Sequence, residues 1–250
     1  MGSVGAKEVP NLLTADGLRI DGRRLDELRP IQIRAGPLHQ ADGSAFVEWG
    51  QNKVMAAVYG PREVHPRHLQ QSTKAVIQCK YNMAAFSVDE RKRPGLDRRS
   101  QEISKVIAEA FDSVVFAEEF PRTSIDVYIE VLQANAGTRC AGLVAASVAL
   151  ADAGIPMVDL LPAVAVGKVA GAIALDLKKE EDNFGEADLP MALVPQSGRL
   201  VLLQMEGHMT EPELGQALDL GVRGCRVIYE KMKAALRDRY SVAPVPSEAP

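Results

Sequence analysis

The sequence predicts an α+β fold, with mixed and antiparallel sheets packed against helices, on three observations. Apolar residues recur at helical spacing from Ser100 to Val115 and again from Leu214 to Met232. Strict alternation places Ile125, Val127, Ile129 and Val131 on one face of a strand, with Asp126, Tyr128 and Glu130 on the other. The rest is short apolar runs separated by glycine, proline or charge. At 250 residues, 46% of them hydrophobic, the chain can bury an ordinary core.

Taken in order, residues 1–30 mix glycine, proline and charge around RIDGRR, and read as an extended arm on the surface or on a partner. Residues 31–240 read as one compact domain, since no linker or repeat interrupts them, and residues 241–250 (SVAPVPSEAP) as a disordered tail. Phe46–Trp49 and Lys53–Tyr59, bounded by Gly50 and Gly60-Pro61, are strands joined by tight turns. The helix from Ser100 is amphipathic. Residues 141–154 are apolar almost all round and rich in small side chains, which predicts a buried, closely packed helix stopped by Gly154 and Pro156. Four strands follow Pro162, in AVAVGKV, AIALDL, ALVP and LVLLQM. Thr210-Glu-Pro-Glu213 has the form of a capping box and opens a long final helix.

Composition narrows the functional classes. A net charge of −4 excludes a polycation that coats nucleic acid by bulk charge. Three scattered cysteines, with no CxxC pair and no histidine at ligand spacing, argue against a disulfide framework and a zinc site. No apolar run approaches a membrane span, so a cytoplasmic protein with no membrane partner is expected. There is no GxSxG or HExxH motif, and the glycine-threonine turn at 137–138 lacks the lysine of a P-loop.

Charge is nonetheless concentrated. Residues 62–99 carry nine basic side chains against four acids, a solvated face unless a ligand explains it. Arg98 and Arg99 stand at a helix start, where the dipole disfavours cations, so a phosphate there would account for both; Asp97 as an ordinary cap is the competing explanation. Asn135-Ala-Gly-Thr-Arg139 repeats the arrangement, with Thr138 as cap and Arg139 in the first turn. Residues 176–190 hold six acids and two lysines. A surface loop is the default, but a hairpin could bring Asp182 and Asp188 to one sheet end, as a general acid or a divalent-metal pair.

RSQEI at 99–103, AGTR at 136–139 and LDL…EEDNFGEADLP at 175–190 resemble the ribonuclease PH family in order and spacing, over nearly the whole chain. The opening DGLRIDGRR, residues 47–63 and residues 210–224 most closely resemble the catalytic ring subunits of its archaeal exosome branch. The resemblance implies a ribonuclease PH-like fold and a 3′-to-5′ exoribonuclease that uses inorganic phosphate as co-substrate to release nucleoside diphosphates from single-stranded RNA. It implies phosphate binding by Arg99, Gly137, Thr138 and Arg139, catalysis by Asp182 with Asp188, possible Mg²⁺ on those two carboxylates, and RNA contacts from Arg67, His68 and Arg98. It also implies a six-subunit ring alternating with a paralogous noncatalytic subunit, topped by RNA-binding cap subunits. Two rivals share the motifs: a homohexameric ribonuclease PH that trims transfer RNA ends, and a noncatalytic RNA-binding ring subunit.

Overall fold

A computed structural model of the chain describes residues 12–241, except 15, 91 and 96. β1 (Ile31–Ala35), β2 (Gly43–Trp49), β3 (Asn52–Glu63), β4 (Val76–Met83) and β5 (Thr123–Gln133) form one sheet in the order β1-β2-β3-β5-β4. Only the β4–β5 pair is parallel, which makes this sheet mixed. β6 (Ala163–Val169), β7 (Ala172–Leu175), β8 (Ala187–Val194), β9 (Arg199–Leu203) and β10 (Glu206–Gly207) form a second, antiparallel sheet ordered β10-β8-β6-β7, with β9 also on β8. Four α-helices lie among the described residues: α1 (Arg98–Asp112), α2 (Thr138–Asp152), α3 (Lys179–Phe184) and α4 (Glu211–Tyr240).

The apolar character of α2 follows from its place: it packs on β2, β3 and β5 of the first sheet and on β6 and β8 of the second. Every residue from Cys140 to Leu150 is buried. Small side chains let the strands approach. A Cβ at Gly43 of β2 would lie 2.3 Å from the Ala149 carbonyl oxygen, too close for any other residue. The main apolar cluster runs through both sheets, with α1 laid on β4 and α4 across β1 and β6, and a smaller one joins Leu12 of the arm to Val169, Ala174 and Leu177. α1 buries Ile103, Ile107, Ala110 and Phe111 as its spacing predicts, and the capping box of α4 joins Thr210 and Glu213. Among the described residues, no helix is long and apolar enough to cross a membrane.

Several expectations are corrected. β1 and β4 were not foreseen, because IQIRA and VIQCKYNM interleave polar residues on faces that are only partly covered. β3 continues through Gly60-Pro61 to Glu63 instead of ending there. α1 ends at Asp112, so Val114 and Val115 are buried in the segment after it, where Val115 bridges Met157. The proposed hairpin at 176–190 is instead the short helix α3 followed by β8, and β7 and β8 are separated by β6. Residues 1–11 and 242–250, which include the start of the arm and nearly all of the expected tail, lie outside the described residues.

The described part of the arm runs over the surface, with many exposed residues, but is anchored by two buried arginines. Arg19 is fully buried: its Nε donates to Glu181 Oε1 at 2.7 Å, and its Nη groups donate to the carbonyls of Leu175 and Asp176 at 2.5 and 2.8 Å. Arg29, also buried, donates to Asp176 Oδ1 at 2.6 Å and to the Asn135 carbonyl at 2.5 Å, and Trp49 Nε1 donates to Asp176 Oδ2 at 2.9 Å. Two of the six acids assigned to a surface loop, Asp176 and Glu181, are therefore buried ion-pair partners. Removing one partner of such a pair leaves an uncompensated buried charge and costs about 3–5 kcal/mol. Arg19→Met is expected to lower the unfolding free energy measured by urea titration by an amount in that range, and Arg19→Met with Glu181→Met to recover a large part of it.

Candidate active site

Three connections converge on one cavity of about 290 Å³, lined by Arg99, Gly137, Thr138, Arg139, Asp182 and Asp188. Arg99 comes from the first turn of α1, residues 137–139 from the start of α2, Asp182 from α3 and Asp188 from β8. The six residues placed together by sequence reasoning are together in space.

The two helix starts differ. Asp97 caps α1, accepting from the Ser100 N–H at 2.7 Å, and Lys92 lies 3.0 Å from the same carboxylate. These hydrogen bonds hold Asp97 down at about 2. The α1 terminus thus carries its own anion, and only Arg99 of the two arginines lines the cavity; Arg98 is exposed and does not. At α2 the cap is Gly137, not Thr138. Its φ of +68° follows Ala136 at +53°, a bend that favours glycine and offers no side-chain oxygen to the first-turn N–H groups. Thr138 is the first helical residue, and its Oγ1 accepts from Tyr81 Oη at 2.8 Å. Burial pushes the Tyr81 phenol up to about 12, so it remains a donor. Tyr81 also ties the two helices together, because its N–H donates to Ser104 Oγ of α1 at 2.9 Å.

Arg139 is held in place by Gln204, which accepts from its Nη1, and by Glu102 at 3.6 Å. Arg99 makes no ion pair among the described residues. Opposite these cations stand the carboxylates. Burial raises Asp188 to about 7, reinforced by the neighbouring charges of Asp182 and Glu206 and opposed by Arg139 and Arg99. Its Oδ1 is buried without a hydrogen-bond partner among the described residues. Asp182 keeps contact with solvent, but the protein around its carboxylate still raises it, mainly through lost hydration, while Arg99 pulls the other way. The two titrate as a coupled pair that retains a proton closer to neutrality than free carboxylates do.

Sequence reasoning missed Glu206, Gln204 and Arg29. Glu206 lines the cavity from β10, directly across from Asp188 in the strand register. No motif marks it, and only the register brings it there. Arg29 was assigned to the arm, yet its Nη2 also reaches the Ala136 carbonyl at 3.4 Å and supports the turn before α2. Arg67 and His68 lie in a 3-10 turn between β3 and β4, exposed and outside the cavity, with Arg67 2.9 Å from Glu63. The excess charge of residues 62–99 is partly offset by partners beyond the segment, Asp126 for Arg62 and Asp112 for Lys74.

Residues 27–156 match domain 1 of the 3′ exoribonuclease family, and residues 144–224 match its domain 2. The chain belongs to the 3′ exoribonuclease family. Among curated relatives, the chain is 58% identical to exosome complex component Rrp41 of Methanopyrus kandleri over 92% of this chain and 96% of that one. It is 57% identical to the Thermoplasma acidophilum protein of the same name, over 92% and 93%. Two solved structures share the fold at 24% identity: rice Rrp46 (TM-score 0.79, 88% of this chain and 100% of that one), and a chain of the Archaeoglobus fulgidus exosome with RNA bound to the active site (TM-score 0.75, 86% and 93%). The architecture is the ribonuclease PH-like α+β fold expected from the motifs.

A carboxyl raised by folding keeps its proton in the native state while the unfolded chain has already released it. Between about pH 4 and 7 the native state therefore binds more protons, and stability falls as pH rises. Asp188→Asn removes the share of this dependence that belongs to Asp188. Without divalent cations, its melting temperature is expected to match the parent near pH 4, to exceed it increasingly up to about pH 7, and to keep a constant margin above that.

Proposed function

We infer that this chain is the phosphorolytic catalytic subunit of an archaeal-type exosome ring in the cytoplasm, removing nucleotides from the 3′ end of single-stranded RNA as nucleoside diphosphates. The convergence of Arg99, the α2 start with Arg139, Asp182 and Asp188 on one cavity carries this reading. The identity to archaeal Rrp41 proteins over more than nine-tenths of the chain supports it.

Phosphorolysis brings two anions together. An oxygen of inorganic phosphate attacks the phosphorus of the last phosphodiester while the 3′-oxygen of the preceding ribose departs. Arg99, Arg139 and the uncapped N–H groups at the start of α2 offset the repulsion and hold the attacking phosphate in line. The departing 3′-oxygen needs a proton, which the Asp182–Asp188 pair retains near neutrality. Asp182, open to the cavity, delivers it, and the more deeply placed Asp188 stores it. Because a phosphodiester is exchanged for a phosphoanhydride, the same site extends RNA from nucleoside diphosphates when phosphate is scarce.

The chemistry of the cavity also fits Mg²⁺. When ionised, Asp182 and Asp188 would hold it in place of the shared proton, the unpartnered Asp188 Oδ1 included, and it would neutralise charge between the phosphates. Among the described residues, no group of three or more histidine, cysteine or acidic side chains could hold a metal. Mg²⁺ characteristically takes one or two carboxylates and completes its shell with water and substrate phosphate. Arg67 and Arg98 are assigned to the RNA backbone leading into the cavity and His68 to a nucleotide, with slight sequence preference because backbone contacts carry no base code. Partner copies are the paralogous ring subunit and RNA-binding cap subunits.

The test is end-labelled oligoadenylate incubated with the assembled ring and Mg²⁺, with and without phosphate. Nucleoside diphosphates should appear only with phosphate; phosphate-independent release of monophosphates would falsify the reading. Activity of this chain alone would favour the homohexameric enzyme instead. Asp182→Ala should abolish turnover and leave RNA affinity largely intact, whereas Arg67→Ala should weaken RNA binding and flatten its salt dependence. Equal loss of binding in both would contradict these roles.

A further inference from the structure

Beside the catalytic cavity lies a second, larger groove of about 590 Å³ that the chemistry above does not use. The two share Asn183, and each of the three connections that builds one also builds the other. The β4–α1 connection contributes Phe86 to the groove before supplying Arg99 to the cavity. The turn before α2 contributes Asn135, two residues ahead of Gly137, and α3 contributes Lys179 ahead of Asp182. A chain with its 3′ end in the cavity therefore has this groove as an immediate neighbour.

Phe86 is 75% exposed, the most exposed large apolar side chain described. It does not sit on a slack loop. The Ser87 N–H donates to the Ala84 carbonyl at 2.9 Å and closes a turn. Ala84 N–H donates to Val131 at 3.0 Å, Ala134 N–H donates to Ser87 at 2.8 Å, and Ser87 itself is buried. Asp89, on the same connection, pairs with Lys179 of α3. The ring is thus presented to solvent by a turn fastened at both ends to β5 and its continuation. Exposing an aromatic in this way forfeits burial, and a planar ligand would restore it. Around it, the exposed amides of Gln133 and Asn183 make no side-chain hydrogen bond among the described residues, and each offers one donor group and one acceptor. An aromatic face with amides beside it suits a nucleobase better than an apolar side chain.

We propose that the Phe86 groove is a nucleobase subsite, in which a base at or next to the 3′ end of the bound RNA stacks on the Phe86 ring. The proposal rests on the reading of the cavity as an RNA 3′-end site. Stacking tolerates any base because every base has a π-face, and one base on one aromatic ring is worth about 1–3 kcal/mol, or roughly 5- to 150-fold in affinity. The subsite supplies grip that phosphate contacts cannot, and it is insensitive to salt.

The experiment is a double-mutant cycle on the assembled ring, using fluorescent oligoadenylate and the same RNA with single abasic positions at its 3′ end. On the parent protein, one abasic position should weaken binding by at least 5-fold. On Phe86→Ala, intact RNA should already bind that much more weakly, and the abasic change should cost nothing further; Phe86→Tyr should behave as the parent. An abasic penalty equally large in Phe86→Ala and parent overturns the proposal. So does failure of Phe86→Ala to enter the ring on gel filtration, since the side chain would then face a neighbouring subunit. Phosphate-dependent nucleoside diphosphate release is followed in the same samples. Normal release without a Phe86 effect sinks the subsite alone, whereas a clean Phe86 signature without such release sinks only the phosphorolytic reading.

Discussion

Two buried arginines hold this molecule's chemistry in place. Arg19 and Arg29 come from a segment with little regular structure, and they fasten the loop after β7 to the turn before α2. Asp176 sits in a left-handed conformation at φ +58°, its carboxylate accepting from three Arg29 nitrogens, the backbone N–H among them, and from the Trp49 indole. Glu181 both caps α3, by accepting from the Lys178 N–H at 2.8 Å, and receives Arg19. The position of α3, and with it of Asp182, is therefore a consequence of arm docking. Buried ion pairs contribute little net stability compared with apolar packing, but they are intolerant of misplacement, which suits them to fixing a register.

The cavity that results sets cations and carboxylates against each other. Arg99, Arg139 and the α2 terminus form one wall, and Asp182, Asp188 and Glu206 the other. Neither set neutralises the other internally, since the described residues show no ion pair between them and Arg139 is engaged instead by Gln204 and Glu102. Desolvated carboxyls held beside guanidinium groups that do not pair with them carry a cost in stability, a local inconsistency of the kind that marks functional sites.

Most of the architecture was legible because period and punctuation agree in this chain. The alternation in β5, the helical spacing of α1 and the capping box of α4 are local signals that tertiary packing reinforces. The all-apolar helix read as buried is buried, because a helix apolar on every side needs cover on every side, and two sheets provide it. Less legible were β1 and β4, whose faces mix polar and apolar residues, and the cap of α2. There a threonine offered the customary capping oxygen, but the chain bends one residue earlier through a glycine and commits that oxygen to Tyr81.

The sequence by itself determined the fold class, the identity of the arginines and aspartates of the cavity, and the family to which their motifs belong. These are properties of residue type and spacing, which a linear text preserves. Only the tertiary structure decided that Asp176 and Glu181 are buried partners rather than surface acids, that Glu206 stands opposite Asp188, and that Phe86 is held outward beside the cavity. Each of those facts depends on a contact between residues distant in the chain, and burial and electrostatic environment follow from which surfaces meet.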